Sequence, residues 1–360
     1  MTGILPLSPR LPFPASIHAH RLLLLLAILG LLLTGTEAVH AQGAGAFARM
    51  GFGARGIAMG NGLVADTFGD ASPFYNPALA PLTGRQNLEL SAGLLRFDRV
   101  LQFVQFSAPL RPRAGFAAGL IHAGVTNIDG RDNSGFHTGD LSTDEFNFFV
   151  AFGLRFSDRV TGGVGLQLFR TDLYDGLEPV NSIAIDFGLT VKVTEALRLG
   201  IVADDLLARY SWDTSGLFGD GGKTTSDRFP TRLRFGAAYQ LMEGRARLVA
   251  EYESRFTSTE LRTRSVRLVG DLPREVIDSE RLLIQESRFR FGGEYQLAEV
   301  FALRGGVDRL GAGDLGGLKP SAGFMVEQPI GKLVARLEYT FVMEPFAIGA
   351  MHLLSLRVFL

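Results

Sequence analysis

The chain has 360 residues, no cysteine, 36 basic and 37 acidic side chains, and a net charge of −1 at pH 7. These figures exclude a disulfide framework, thiolate chemistry and cysteine-ligated metal, and they leave no basic footprint for nucleic acid. Forty-four glycines against 15 prolines suit a sheet of many close-packed strands rather than a disordered or collagen-like chain.

In chain order, Arg10 and Arg21 precede an unbroken apolar run from Leu22 to Leu33, which ends near the small-x-small pattern Val39, His40, Ala41. Residues 1–41 therefore read as a signal peptide, and the mature chain is expected to begin near Gln42. The run is shorter than the roughly 20 apolar residues a spanning helix needs, and no second run of that length follows. Any membrane crossing must use strands.

The next segment, 42–85, is rich in glycine and alanine yet carries Phe47, Phe52, Ile57, Leu63, Phe68, Phe74 and Leu79. That much apolar surface needs a cover. Gly51, Gly53 and Gly56 match G-x-G-x-x-G, but with no preceding strand and no βαβ unit they read as turn and close-packing positions, not as a dinucleotide site. No cofactor and no metal are expected.

From Gln86 to Leu360 the apolar period is two. Phe146, Phe148, Val150, Phe152, Leu154 and Phe156 share one parity, and the same alternation recurs in fourteen candidate strands centred near Leu90, Val104, Gly119, Val150, Leu166, Asp186, Gly200, Phe235, Val249, Phe291, Leu303, Gly323, Arg336 and Leu356. An even number suits a bacterial transmembrane barrel. Connections alternate in length, with short turns near Pro109–Arg113, 157–158, 194–196, 242–244, 298–299 and 328–331. Long connections at 124–144, 206–230 and 257–287 all fall on the other side. The expected fold is an all-β, 14-stranded antiparallel transmembrane β-barrel over 86–360, with residues 42–85 as a hatch inside the lumen. About eight strands fill themselves with side chains and 16 to 18 leave a channel, so fourteen leave space for such a plug.

Cost assigns the faces. Arginine on the lipid face at mid-bilayer costs roughly 2 to 4 kcal/mol, so Arg232, Arg234, Arg288, Arg290 and Glu294 should point inward. Leu233, Phe235, Tyr239, Phe289, Phe291 and Tyr295 should then point outward. Ile183, Phe187 and Leu189 read as lipid-facing, and Asp186, Thr190 and Lys192 as lumenal. Charge added at Thr190 or Gly236 should therefore be tolerated better than at Phe187 or Phe235. The second strand resists sorting, because Gln102 and Gln105 lie on opposite parities, and a bulge or inward bend is expected there. The third strand is small or apolar on both faces, which suits either a strand backed by a plug or an apolar lumen patch.

Two surface regions could meet a partner: Tyr210, Trp212 and Phe218 in 206–230, and a mixed-charge hairpin carrying Arg264, Arg267 and Leu283. No catalytic constellation emerges. His122, His137 and His352 fall on strand three, a surface loop and strand fourteen, no G-x-S-x-G elbow is present, and Asp204 and Asp205 read as solvated carboxylates at a strand end.

The stretch 47–80, FARMGFGARGIAMGNGLVADTFGDASPFYNPALA, resembles the N-terminal hatch of the FadL-like long-chain fatty-acid transporter superfamily of outer-membrane barrels. The residues that carry the likeness are Gly51, Gly53, Arg55, Gly56, Met59, Gly60, Asp66, Asp70, Asn76, Pro77 and Ala78. Val125 to Gly130 with Ser134, Gly135 and Gly139, and Phe229–Pro230 leading to Arg234, Phe235 and Gly236, make the chain most similar to the PorV/PorQ branch. The resemblance implies residence in the bacterial outer membrane, among its lipid, and a part in type IX protein secretion or surface assembly by binding exported cargo. The alternative it implies is passive transport of fatty acids or other hydrophobic small molecules through a lateral opening.

Overall fold

The structure, a computed structural model, describes residues 44–174, 176–269, 272–311, 317–345 and 349–360. The signal-peptide reading of 1–41 lies outside the described residues. Seven strands come first: β1 (Asn87–Leu94), β2 (Arg99–Leu110), β3 (Ala114–Arg131), β4 (His137–Arg155), β5 (Val160–Asp172), β6 (Val180–Lys192) and β7 (Leu197–Leu206). A small separate hairpin, β8 (Arg209–Asp213) with β9 (Thr224–Arg228), interrupts them. Then follow β10 (Thr231–Leu241), β11 (Ala246–Val269), β12 (Leu272–Ala298) and β13 (Phe301–Leu310). The last three are β14 (Lys319–Ile330), β15 (Leu333–Met343) and β16 (Ala350–Phe359). All but β8 and β9 close into one antiparallel barrel in chain order, sealed where β1 pairs with β16 from Asn87 opposite Phe359 to Leu94 opposite His352. Every expected strand centre lies in one of these fourteen strands.

Connections at one end are short. At the other end the sheet continues past the expected strand limits. β3 and β4 stay paired as far as Arg131 and His137, so the expected 124–144 loop is mostly ribbon. β11 and β12 pair from Ala246–Tyr295 up to Val269–Leu272, although β10 leaves β11 at Phe256 and β13 leaves β12 at Phe289. A two-stranded ribbon therefore stands clear of the barrel.

Parity decides exposure as the cost argument requires. Arg232, Arg234, Arg290 and Glu294 are buried, whereas Phe187, Phe235, Tyr239 and Tyr295 are exposed on the outer wall. Phe289 is the exception, covered on the outside by the Tyr252 ring at 5.1 Å. The expected interruption in β2 is absent: pairing with β3 runs unbroken from Arg99–Val125 to Leu110–Ala114. Gln105 points inward and Gln102 outward, because Gln102 is near enough to the strand end to hydrogen-bond His122 at 3.4 Å.

Register breaks occur elsewhere. Between β6 and β7 an extra residue is accommodated near Asp205, at φ +59°, and between β12 and β13 another near Arg309, at φ +65°. The first bulge corrects the reading of Asp204 and Asp205 as solvated. Both carboxylates are turned into the barrel and are 3% and 2% exposed.

Candidate functional site: the filled lumen and its aromatic mouth

Residues 44–83 thread the barrel interior, and their local sequence explains how. A 3₁₀ turn, Ala46–Arg49, leads to the short helix α1 (Gly53–Ala58), every residue of which is buried. The chain then reverses at Gly60, whose φ of +63° and tight fit against the backbone of Phe291 and Val307 admit only glycine. Asn76 begins a second 3₁₀ segment, Pro77–Leu82, by accepting from the Ala78 amide at 2.9 Å. Its Nδ2 also donates to the Val64 carbonyl at 2.8 Å and to Thr190 Oγ1 at 3.1 Å. Tyr75 Oη donates to Asn61 Oδ1 at 2.7 Å and accepts from the Phe52 amide at 2.8 Å, closing the segment on itself.

The barrel meets this plug with two different arcs. From β7 round to β1 the inward positions form a ladder of alternating charge. Arg234 holds Asp204 at 2.5 Å and the Tyr75 carbonyl at 2.7 Å, and Arg232 holds Asp205 at 2.9 Å. Arg290 bridges Glu253 at 2.6 Å and Asp308 at 2.8 Å, and also touches Glu251. Arg304 spans Glu294 at 2.7 Å and Glu338 at 3.1 Å. Arg357 closes the circuit on Glu89 at 2.5 Å. Buried charge survives only when paired, and here nearly every inward charge has a partner on the next strand.

The hatch enters this ladder with its own ions. Arg55, 2% exposed, lies 2.6 Å from Asp66 and 3.1 Å from Glu294, so one guanidinium ties the helix to a hatch turn and to the wall. Asp70 meets Arg336 and Arg357 of β15 and β16. Backbone adds to the grip: the Ala54 amide donates to Ser355 Oγ at 2.9 Å, and Thr340 Oγ1 donates to the Ala54 carbonyl at 2.7 Å.

The second arc, β2 to β5, is largely apolar, with the buried amides Gln105, Asn147 and Gln167 set among its rings. Leu101, Phe103, Ile121, Phe149 and Phe169 point inward and are buried. Phe52 and Phe74 of the hatch pack against Phe103 and Phe149, with centroid distances of 5.0 and 5.2 Å. Toward the ribbon end a second chain of rings follows, from Phe47 to Phe169 at 6.3 Å, Phe229 at 4.8 Å, Tyr210 at 4.8 Å and Trp212 at 5.7 Å. These contacts are mostly edge-to-face, the arrangement ring quadrupoles favour. Lower down, Gly115 and Gly119 of β3 face inward, and the Ala80–Pro81 backbone and the Phe149 ring press on them. The third strand is thus small because a plug backs it there, while its upper residue Ile121 joins the aromatic arc.

The structure brings the hatch residues Gly51, Gly53, Arg55, Gly56, Met59, Gly60, Asp66, Asn76, Pro77 and Ala78 together as buried residues, with Asp70 at their edge. The surface candidates do not form one site. Tyr210 is buried in the aromatic mouth and Trp212 packs beside it, while Phe218 is 67% exposed. Arg264 and Leu283 are exposed on the ribbon, and the side chain of Arg267 lies outside the described residues. The histidines stay apart: His122 bonds Asp144 at 2.8 Å, His137 bonds Asp129 at 2.8 Å, and His352 bonds Tyr339 at 2.7 Å. Among the described residues no group of three or more metal-ligating side chains occurs.

Sequence reasoning missed Glu89, Glu251, Glu253, Asp308 and Glu338 as partners of the ladder. A signal was present, since Glu251 and Glu253 share the inward parity of β11 and face the Arg-x-Arg of both neighbouring strands.

No protein-family model and no curated protein matches the chain. Solved structures do. The toluene transporter TbuX of Ralstonia pickettii is 17% identical with a TM-score of 0.53, covering 86% of this chain and 97% of that one. The fold is shared with known transporters. The toluene transporter TodX of Pseudomonas putida is 15% identical over 86% of this chain and 97% of its own, with a TM-score of 0.55. A FadL homologue of Pseudomonas aeruginosa is 12% identical over 86% and 98%, also at 0.55. The shared architecture is the closed 14-stranded antiparallel barrel.

Proposed function

We propose that this protein is a FadL-like outer-membrane channel through which hydrophobic small molecules pass without chemical change. The observation that carries the reading is the division of the lumen. Two groups of packed rings, Trp212, Tyr210, Phe229, Phe169 and Phe47 at the ribbon end and Phe52, Phe74, Phe103 and Phe149 beyond them, belong to one apolar cluster and present an apolar surface opposite a wall of ion pairs. An apolar solute gains about 25 cal/mol for each Å2 it removes from water along such a surface, whereas the ion pairs offer it nothing. Structures of like fold described as toluene transporters and as a FadL homologue support the same reading.

Residues 44–83 act in this proposal as the gate, since they fill the path between the two mouths. The secretion reading has one supporting feature, the β11–β12 ribbon that stands free on both edges. Uptake of labelled toluene and of a labelled long-chain fatty acid into cells expressing the chain tests the proposal. Uptake above the empty-vector level, reduced by Phe169→Asp with normal barrel insertion, is expected. Uptake at the empty-vector level for both solutes, with exported proteins retained on affinity purification, would overturn it in favour of secretion.

A further inference from the structure

The outer wall carries an apolar groove of about 470 Å3 across β10 to β13. One lateral row crosses it in register, Tyr239, Leu248, Gly293 and Gly305, and Phe291 and Val307 form its upper lip. The two glycines make the groove, and nothing inside the protein requires them. A Cβ on Gly305 would meet only the Ser321 carbonyl at 3.8 Å, and one on Gly293 only Leu248 Cδ2 at 3.4 Å and the Arg247 carbonyl at 3.6 Å. Neither residue has a positive φ. Their neighbours Gly292 and Gly306 are different, because a Cβ on either would run into the hatch backbone at Met59 and Gly60.

The inner pair is explained by the plug. The outer pair weakens two strands without packing benefit to the chain, so the space it leaves is for something outside.

We propose that this groove seats one acyl chain of a phospholipid from the periplasmic leaflet. Depth selects the leaflet. With the short turns in the periplasm, Tyr239 stands two residues from the end of β10 at Leu241 and Gly293 five from the end of β12 at Ala298. At about 3.3 Å per residue this row lies roughly 7 Å from the short turns measured along β10 and roughly 17 Å measured along β12, in either case within the lower part of an apolar band about 25 Å tall. It is continuous with the exposed belt of Leu248, Tyr295, Leu297 and Leu303, so a chain can enter it from the bilayer without crossing polar surface. Charge fits as well. Glu243 and Arg245, both exposed in the β10–β11 turn just below the groove, offer opposite charges to the ammonium and phosphate of a zwitterionic headgroup.

The inference rests on the barrel lying in the outer membrane, though not on what it transports. The test uses the full chain in liposomes of phosphatidylethanolamine carrying a photoreactive acyl chain, followed by peptide mapping. Labelling concentrated on Phe291–Val307 is expected, and it should fall about tenfold in Gly293→Leu/Gly305→Leu, because the leucine side chains fill the groove and take over the van der Waals contacts that hold a chain there, with no hydrophobic term between apolar surfaces in lipid. Native mass spectrometry from mild detergent should show one retained phospholipid in the parent chain and none in the variant. Labels scattered evenly round the belt, retention unchanged in the variant, or a second copy of the chain cross-linked on this face would each overturn the proposal. A chain that stays outside the liposomes would instead refute the membrane reading on which it rests.

Discussion

Replacing Arg55 by methionine removes the one cation that the hatch helix shares with both a hatch turn and the barrel wall. Its two partners are left in unequal positions. Glu294 keeps Arg304 at 2.7 Å and its contact with Arg247, whereas Asp66 keeps only the Phe68 amide at 3.1 Å. Breaking a buried pair costs roughly 3 to 5 kcal/mol, and the surviving partners of Glu294 place this case near the lower end. About 3 kcal/mol corresponds to roughly a hundredfold rise in the population with the hatch displaced, at about 1.4 kcal/mol per factor of ten. Hydrogen exchange of amides 53–66 reads that population directly, and planar-bilayer recordings should show brief openings absent from the parent. The double variant Arg55→Met/Asp66→Asn should recover much of the protection, because the stranded charge is gone. Unchanged exchange in Arg55→Met, with the barrel still migrating as a folded band, would refute the view that ion pairing holds the plug.

Three further outcomes follow from the same geometry. Phe187→Arg should destabilise the barrel by roughly 2 to 4 kcal/mol in a liposome unfolding assay, since Phe187 is 51% exposed on the outer wall with no anionic partner there. Thr190→Arg and Gly236→Arg should cost at least as much in the same assay, contrary to the sequence expectation. Thr190 is 3% exposed and bonded to Asn76, and a Cβ on Gly236 already lies 3.0 Å from Val64. Deleting residues 44–83 should leave a barrel that inserts but conducts ions steadily, and near-zero conductance would show that the loops alone close the pore.

The number of strands, their faces and the alternation of short and long connections were legible in the chain because each rests on local information. A period of two, a turn residue or an arginine that lipid would penalise can be read within about ten residues, as Arg232–Leu233–Arg234–Phe235 shows. The segment 42–85 drew attention by its apolar content, whereas its individual residues were singled out by resemblance, since α1 and the segments around it have no periodicity of their own and take their shape from the wall.

What the tertiary structure alone decided is lateral. Whether Asp204 and Asp205 meet water or Arg234 and Arg232 depends on one inserted residue between β6 and β7, and Arg55 lies 239 residues from Glu294 in sequence. The same holds for Tyr210, which looks like a surface aromatic until Phe229 and Phe169 are brought beside it. Burial of charge in this lumen is settled by pairs formed across strands, and the register that makes those pairs is a property of the closed barrel rather than of any single strand.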